Sequence, residues 1–199
     1  MEKKYIAVDI EASGRTPGKY SMLSFGASVV GNSDKQFYRE LKPISEKYIR
    51  GNMEVGCLGL KCIENLPEDS YNPKDKLFRP DLVLKVLQDI GQHPSIAMYE
   101  FNDWILESTK DYIPIMAAVP TSFDCMFITW YFDNFFDGKD PFGHSSEDFG
   151  SMYRMYKRDI NASFKDMKQI TKKGHTHNAL DDAVEYAKQF ERLLEMMKS

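Results

Sequence analysis

Three short runs of apolar residues near the start of the chain predict β-strands. They extend from Lys4 to Ile10, from Met22 to Val30 and from Gln36 to Leu41. Gly31-Asn32 separates the last two, and such a pair between apolar runs is typical of a hairpin turn. Because every connection is short, the three strands are predicted to pair as an antiparallel meander.

The rest of the chain shows mainly helical periodicity. The predicted elements are helices from Asp81 to Ile90, from Pro94 to about Lys110, from Asp124 to Phe136 and from Asn178 to Lys198, and a buried strand from Ile113 to Val119. Pro94-Ser95 offers a cap for the second helix. That helix is expected to bury Ile96, Met98, Phe101, Trp104 and Ile105. Strands and helices in this order predict an α/β domain, with a mixed β-sheet flanked by helices on both faces.

Residues 43–80 are polar and rich in Gly and Pro, which predicts a long excursion with at most short helices. A length of 199 residues fits one domain, 1–199, that carries this excursion. The three cysteines, Cys57, Cys62 and Cys125, are an odd number and form no C-x-x-C pair. Neither a disulfide framework nor a zinc site is therefore expected.

The lack of a disulfide framework favours a reducing compartment, and nothing in the apolar pattern predicts a membrane partner. The first apolar run, Tyr5 to Val8, is too short for the core of a signal peptide. The longest later stretch, Ile113 to Phe132, is interrupted by Pro114, Pro120 and Asp124, which argues against a membrane span. The expected location is the cytoplasm.

Charge is unevenly distributed along the chain. The net charge is −4, yet the segment from Ser151 to His175 contains seven Lys or Arg against two Asp or Glu. A basic face on an acidic body fits a protein that holds a phosphate strand in one place. A solvated loop and helix face explains the same segment equally well.

Two carboxylates stand at the end of the first predicted strand. Asp9 and Glu11 project to the same side because strand side chains alternate, and Ile10 points the other way. Adjacent carboxylates repel each other, so a divalent cation is the natural partner for them. A D-x-E tripeptide is common by chance, and a solvated strand end explains it alone.

Two further places carry candidate chemistry. Asp124 follows the buried strand at a helix start, where an aspartate is also a favoured capping residue. His177 precedes the last helix, and Asp182 lies in its second turn at the border of an apolar face. A carboxylate in that position needs a polar partner. His175 is a second candidate for the role of the base, although it lies seven residues from Asp182.

The ordered set resembles the DEDDh exonucleases, the superfamily of ribonuclease T, oligoribonuclease and proofreading exonucleases. Residues 9–14, D-I-E-A-S-G, are similar to the D-x-E-x-[ST]-G motif of that superfamily, and Asp124 stands in an F-D-x-x-F context. His177 to Asp182 is similar to its H-x4-D motif. The sister group has a tyrosine four residues before the last aspartate, where this chain has Asn178. The histidine type is therefore favoured.

The resemblance implies a ribonuclease H-like fold and a 3′–5′ exonuclease that hydrolyses DNA or RNA to nucleoside 5′-monophosphates. It implies two Mg²⁺ or Mn²⁺ ions, with Asp9 bridging both and with Glu11 and Asp182 on the nucleophile side. Asp124 would act directly or through water, and His177 would accept the proton of the attacking water. The expected substrate contact is the backbone of Ala12, Ser13 and Gly14. The ring of Phe127 is a candidate for stacking on a base, although core packing is its expected role.

Three other functions share part of this pattern. An aspartyl-phosphate phosphatase needs D-x-D, and Glu11 replaces its second aspartate. A ribonuclease H-like endonuclease shares the carboxylates but lacks the H-x4-D terminus. A non-catalytic nucleic-acid-binding module on the same fold would be expected to lack some of the five motif residues. The choice between DNA and RNA, the preference for single strands and the oligomeric state, including a homodimer, stay open.

Overall fold

A five-stranded mixed sheet forms the centre of the computed structural model, which describes residues 2–67, 72, 75–167, 170–172 and 175–198. Its strands are β1 (Lys3–Ala12), β2 (Met22–Val29), β3 (Asn32–Glu40), β4 (Ile113–Ala118) and β5 (Ser146–Asp148), in the spatial order β3-β2-β1-β4-β5. The β1, β2 and β3 strands pair antiparallel, whereas β4 is parallel to both β1 and β5. The predicted meander and mixed sheet are confirmed.

Helices cover both faces of this sheet. They are α1 (Arg50–Gly56), α2 (Pro80–Ile90), α3 (Pro94–Ser108), α4 (Thr121–Phe135), α5 (Phe149–Lys157) and α6 (Ala179–Lys198), with 3₁₀ turns at Lys61–Asn65 and Phe164–Asp166. Alternation along β1 divides the core: Ile6, Val8 and Ile10 pack with α3 and α4, whereas Ala7 packs with α5 and α6.

The excursion at 43–80 contains only the short helix α1 and one 3₁₀ turn among its described residues, as predicted. Its composition is polar, but it contributes a third apolar cluster. Met53, Cys57, Leu60 and Phe78 pack there against Leu23 of β2 and against helix α2. Burial of this apolar surface fixes the excursion to the sheet.

Several element boundaries differ from the sequence expectation. Ile96 is 54% exposed, so helix α3 does not bury it. The cap of that helix is the side chain of His93, which accepts a hydrogen bond from the Ser95 backbone, rather than Pro94-Ser95. Helix α4 begins at Thr121, three residues before the predicted start. These shifts leave the order of the elements unchanged.

Strand β5 and helix α5 were not predicted. The strand has only three polar residues, Ser-Glu-Asp, and therefore no apolar alternation to reveal it. The helix follows it directly, because the Asp148 side chain accepts a hydrogen bond from Ser151 N at 2.7 Å and caps its first turn. Helix α5 carries part of the basic segment, and Lys173 of that segment lies outside the described residues.

Candidate active site

Asp9 and Glu11 project from β1 towards helix α6. The β2 residues opposite them are Gly26 and Ser24, which are small. A β-carbon on Gly26 would lie 2.4 Å from the backbone of Ala179, so the first turn of α6 rests directly on the sheet at this point. This close approach brings the next residues of α6 to the two carboxylates.

Asp182 is the α6 residue that meets them, and it is completely buried. Its Oδ1 accepts a hydrogen bond from Thr176 N at 2.7 Å, and its Oδ2 accepts one from His177 N at 3.0 Å. A buried carboxylate satisfied by backbone amides is held in one position. These two hydrogen bonds therefore hold both the Asp182 side chain and the loop before α6 in place.

A second buried carboxylate of α6 holds the earlier part of that loop. Glu185 accepts hydrogen bonds from Ile170 N at 2.8 Å and from Thr171 N at 2.7 Å. Asn178 completes the arrangement by capping α6, since its Oδ1 accepts from Leu180 N and Asp181 N. The loop is thus anchored on three side chains.

Asp124 reaches the same place from the opposite layer. It lies in the first turn of α4 and is buried, and its Oδ1 accepts a hydrogen bond from Ile10 N of β1 at 3.1 Å. The residue before the helix is Pro120, so Asp124 does not cap it. Burial raises the pKa of Asp124 to about 7, and the Ile10 hydrogen bond only partly offsets that effect.

The carboxylates form a cluster that a cation would stabilise. One oxygen each of Asp9, Glu11 and Asp182 lie within 4.8 Å of one another. Burial and, after it, repulsion from Asp124, Glu11 and Asp182 raise the pKa of Asp9 well above its ordinary value. Burial, Asp182 and Asp124 raise the pKa of Glu11 in the same way. Such an all-oxygen set suits a hard divalent ion.

Two histidines stand at the rim of the cluster. The Nδ1 atom of His175 lies 2.9 Å from Oδ2 of Asp182, and this hydrogen bond raises the pKa of His175. Burial, followed by the neighbouring His175, lowers the pKa of His177. His177 has a φ of 60°, a left-handed conformation that histidine adopts more readily than most residues.

The chain matches the family described as the Rv2179c-like 3'-5' exoribonuclease domain over residues 4–194. It belongs to that family. This membership agrees with the predicted resemblance and with 3′–5′ exonuclease activity on nucleic acid as the activity of the family.

Individual relatives point the same way. The chain is 39% identical over 150 residues to the 3'-5' DNA exonuclease Cap18 of Escherichia coli, which is 75% of this chain and 67% of that protein. The nuclease domain of 3'hExo, a DEDDh family member bound to rAMP, superimposes with a TM-score of 0.65 at 12% identity, covering 96% of this chain and 92% of that one. These likenesses confirm the α/β, ribonuclease H-like fold.

Exonuclease I of Escherichia coli, in complex with a 5cy-dA13 oligonucleotide, superimposes with a TM-score of 0.56 at 14% identity. The superposition covers 98% of this chain but only 41% of exonuclease I. This chain thus spans less than half the length of that relative.

No helix among the described residues of this chain is long and apolar enough to cross a membrane.

In this member of the family the excursion borders the carboxylates. A β-carbon on Gly56 would lie 3.1 Å from Oε2 of Glu11. One on Gly59 would lie 2.4 Å from the backbone of His177 and Asn178, and Asn178 Nδ2 donates to Gly59 O at 2.6 Å. Glycine at both positions allows the excursion to form one wall of the site, which the sequence did not reveal.

Two residues expected to contact the substrate are buried in the protein itself. Phe127 is fully buried and packs against Phe123, in the core position that was its expected role, so its ring offers no exposed face to a base in this conformation. Ser13 is also buried, and its Oγ donates to Lys47 O at 3.0 Å while its backbone bonds to Ser21 and Ile49. Ser13 therefore ties the strand end to the excursion.

Tyr186, one turn after Asp182, lies outside the sequence motifs. Burial, followed by repulsion from Asp9 and Asp182, raises the pKa of its hydroxyl. It lines a cavity of about 400 Å³ together with Lys165, His175 and the apolar side chains of Val119, Phe164 and Met167. A tyrosine spaced i+4 from the motif aspartate was the available signal.

Proposed function

We propose that this chain is a divalent-metal-dependent 3′–5′ exonuclease that releases nucleoside 5′-monophosphates. The observation that carries the proposal is the convergence of Asp9, Glu11 and Asp182 from two separate elements, with one oxygen of each within 4.8 Å. Asp124 adds a fourth buried carboxylate beside them. Family membership supports the reaction class and its direction.

The four carboxylates fit Mg²⁺ or Mn²⁺ because they offer only oxygen ligands and because, among the described residues, only Asp182 has an ion-pair partner, His175 at 2.9 Å. Asp9, Glu11 and Asp182 would hold the metal, and Asp124 would do so directly or through water. Two bound ions would supply a water of lowered pKa and positive charge for the phosphate. The raised pKa values of Asp9 and Glu11 are the expected signature of such a site without its cations.

His177 is the proposed general base. Its lowered pKa keeps the ring neutral at physiological pH, so a ring nitrogen is free to accept the proton of the attacking water. The Asp182 carboxylate holds its backbone amide at 3.0 Å, and Asn178 anchors the next residue on the excursion. A base held this way loses little entropy when it meets its substrate.

The substrate is a free 3′ end, and we propose a single strand. The excursion wall at Gly56 and Gly59 and the cavity with Lys165 and Tyr186 flank the carboxylates. Lys165 belongs to the basic segment and supplies positive charge to a phosphate next to the cleaved one. The backbone around Ala12 and Gly14 stays the proposed contact for the terminal nucleotide. The exonuclease I complex with an oligonucleotide supports the single-strand choice.

The sugar is a matter for experiment, because the family is described as an exoribonuclease domain and Cap18 as a DNA exonuclease. The decisive test uses 5′-labelled DNA and RNA oligomers of one sequence with Mg²⁺ or Mn²⁺. A ladder shortening from the 3′ end, with 5′-mononucleotides as products, is expected. Internal cleavage, or no hydrolysis with either metal, would overturn the proposal. Asp9→Asn is the matched inactive control.

We also propose a single catalytic domain in the cytoplasm. All three cysteines are buried thiols outside any disulfide, which supports a reducing compartment. A homodimer stays a prediction that sedimentation of the purified chain would decide.

A further inference from the structure

A second set of metal-ligating atoms lies beside the carboxylate cluster. One ligand atom each of His175, His177 and Asp182 lie within 4.8 Å of one another. The two imidazole rings have centroids 4.5 Å apart, in an edge-to-face arrangement. This group shares Asp182 with the carboxylate cluster but replaces the other two oxygens with nitrogens.

The donor atoms decide which ion each set prefers. Asp9, Glu11 and Asp182 offer only oxygen, which suits Mg²⁺ and Mn²⁺. Two imidazoles and one carboxylate suit zinc and similar transition ions, which bind three protein ligands and a water in tetrahedral sites. We propose that His175, His177 and Asp182 form an inhibitory site for a zinc-class ion.

The site is largely preformed. The Nδ1 atom of His175 and Oδ2 of Asp182 are hydrogen-bonded at 2.9 Å, and an ion bound to both atoms would replace that hydrogen bond. Bonds of about 2.1 Å at tetrahedral angles place ligand atoms roughly 3.4 Å apart. Side-chain rotation of the partly exposed histidines closes the remaining gap, because Asp182 is fixed by Thr176 N and His177 N. On binding, a charged His175 loses its Nδ1 proton to solvent, whereas a neutral His175 carries its single proton on Nε2 instead.

Inhibition follows from the roles given to the shared residues, and this step rests on the proposed function. An ion on the ring nitrogen of His177 takes the lone pair that would accept the proton of water. The same ion takes an oxygen of Asp182 from the carboxylate cluster. Zinc bound here therefore removes the base and one Mg²⁺ ligand together.

His175 is the discriminating residue, since the DEDDh motif contains His177 and Asp182 but not His175. Zinc was not expected from the sequence, because the paired Cys/His spacing of structural sites is absent. His-x-His next to a carboxylate five residues on was the missed signal. The backbone hydrogen bonds of Thr176 and His177 to Asp182 bring the three side chains together.

The test measures binding of Zn²⁺ alone to the metal-stripped full chain by competition with a chelating dye. X-ray absorption at the zinc edge reports the number of imidazole ligands. Wild type should bind zinc with two imidazoles, and His175→Ala should bind it ten- to a hundredfold more weakly with one. His144→Ala, a change at an exposed loop histidine, is the matched control and should bind like wild type. Equal affinity in His175→Ala, or an all-oxygen zinc shell in wild type, would overturn the site.

A second arm follows hydrolysis in saturating Mg²⁺ while zinc is added. Zinc should inhibit wild type and His144→Ala at the concentration that fills the dye-measured site, and His175→Ala should need at least about tenfold more. Two-imidazole binding without inhibition would overturn the inhibitory role. A wild type without exonuclease activity in Mg²⁺ alone would refute the proposed function instead, and the binding arm would still decide the site.

Discussion

The Asp182 carboxylate accepts the backbone amide of His177 at 3.0 Å, so the third acidic residue of the cluster also positions the proposed base. The same carboxylate accepts Thr176 N through its other oxygen. The H-x4-D spacing allows this hydrogen bond, because His177 lies in the loop directly before α6 and Asp182 lies in the first turn of that helix. The spacing therefore serves the geometry of the loop as well as the chemistry of the site.

Asp182→Asn should abolish hydrolysis and also destabilise the protein. An amide has one acceptor oxygen, so either Thr176 N or His177 N loses its buried partner, at a cost of about 1–3 kcal/mol. Chemical unfolding without metal measures the loss, and hydrogen exchange at the two amides should accelerate. Charge relief alone would predict the opposite sign, so a more stable Asp182→Asn protein would contradict the anchoring role.

Asp9→Asn should also be inactive, but it should be more stable than wild type without metal. Asp9 is buried beside three carboxylates, and its side chain accepts no hydrogen bond from the described residues. Each kcal/mol of relieved repulsion should raise Tm by about 2–4 °C. Asp34→Asn, at an exposed position of β3, is the matched control and should leave Tm unchanged. An unchanged Tm in Asp9→Asn would argue against repulsion in the cluster.

The metal-free protein should lose stability as the pH rises from about 4 to 7. Burial raises the pKa of Asp124 to about 7, so the folded protein retains a proton that the unfolded chain, near pKa 3.9, releases. A raised carboxyl pKa favours folding below the unfolded value, and this benefit disappears as the pH passes the folded value. Thermal scans should show a falling Tm, and Mg²⁺ should stabilise more at pH 7.5 than at pH 5. If Tm instead rises with pH across this range in both wild type and Asp124→Asn, the raised pKa of Asp124 is contradicted.

Much of the fold follows from the sequence because its elements carry strong periodicity. The apolar strand β1 and the amphipathic helix α6 are long enough to be identified, and Asp9, Glu11 and Asp182 take their places from these two elements. Strand β5 is too short and polar to leave a pattern. The burial of Phe127 depends on how α4 packs against β1, which is a tertiary property. The wall at Gly59 is equally invisible, because contacts between residues 59 and 178 have no local signature.

Gly59→Ala should lower kcat, because a β-carbon would lie 2.4 Å from the backbone of His177 and Asn178. The loop must then move, and a displacement of the proposed base by about 1 Å costs up to a hundredfold in rate. Gly51→Ala is the matched control, since nothing lies within 4 Å of its β-carbon and the residue is in helix α1. It should leave kcat unchanged and raise stability by about 0.5–1 kcal/mol. Equal kcat in both variants would show that the excursion does not position the loop.

His177→Ala should lower kcat by about a hundredfold to ten-thousandfold, the usual contribution of a positioned proton acceptor. Mg²⁺ affinity should change little, because the carboxylates provide the ligands, whereas Asp182→Asn should weaken it. Single-turnover hydrolysis gives the rate, and Mg²⁺-dependent stabilisation gives the affinity. His175→Ala is the comparison, since its ring lies beside His177 but contacts Asp182 through Nδ1 at 2.9 Å. It should lower kcat by less than about tenfold. A His175→Ala protein that is inactive beside an active His177→Ala would transfer the role of the base to His175.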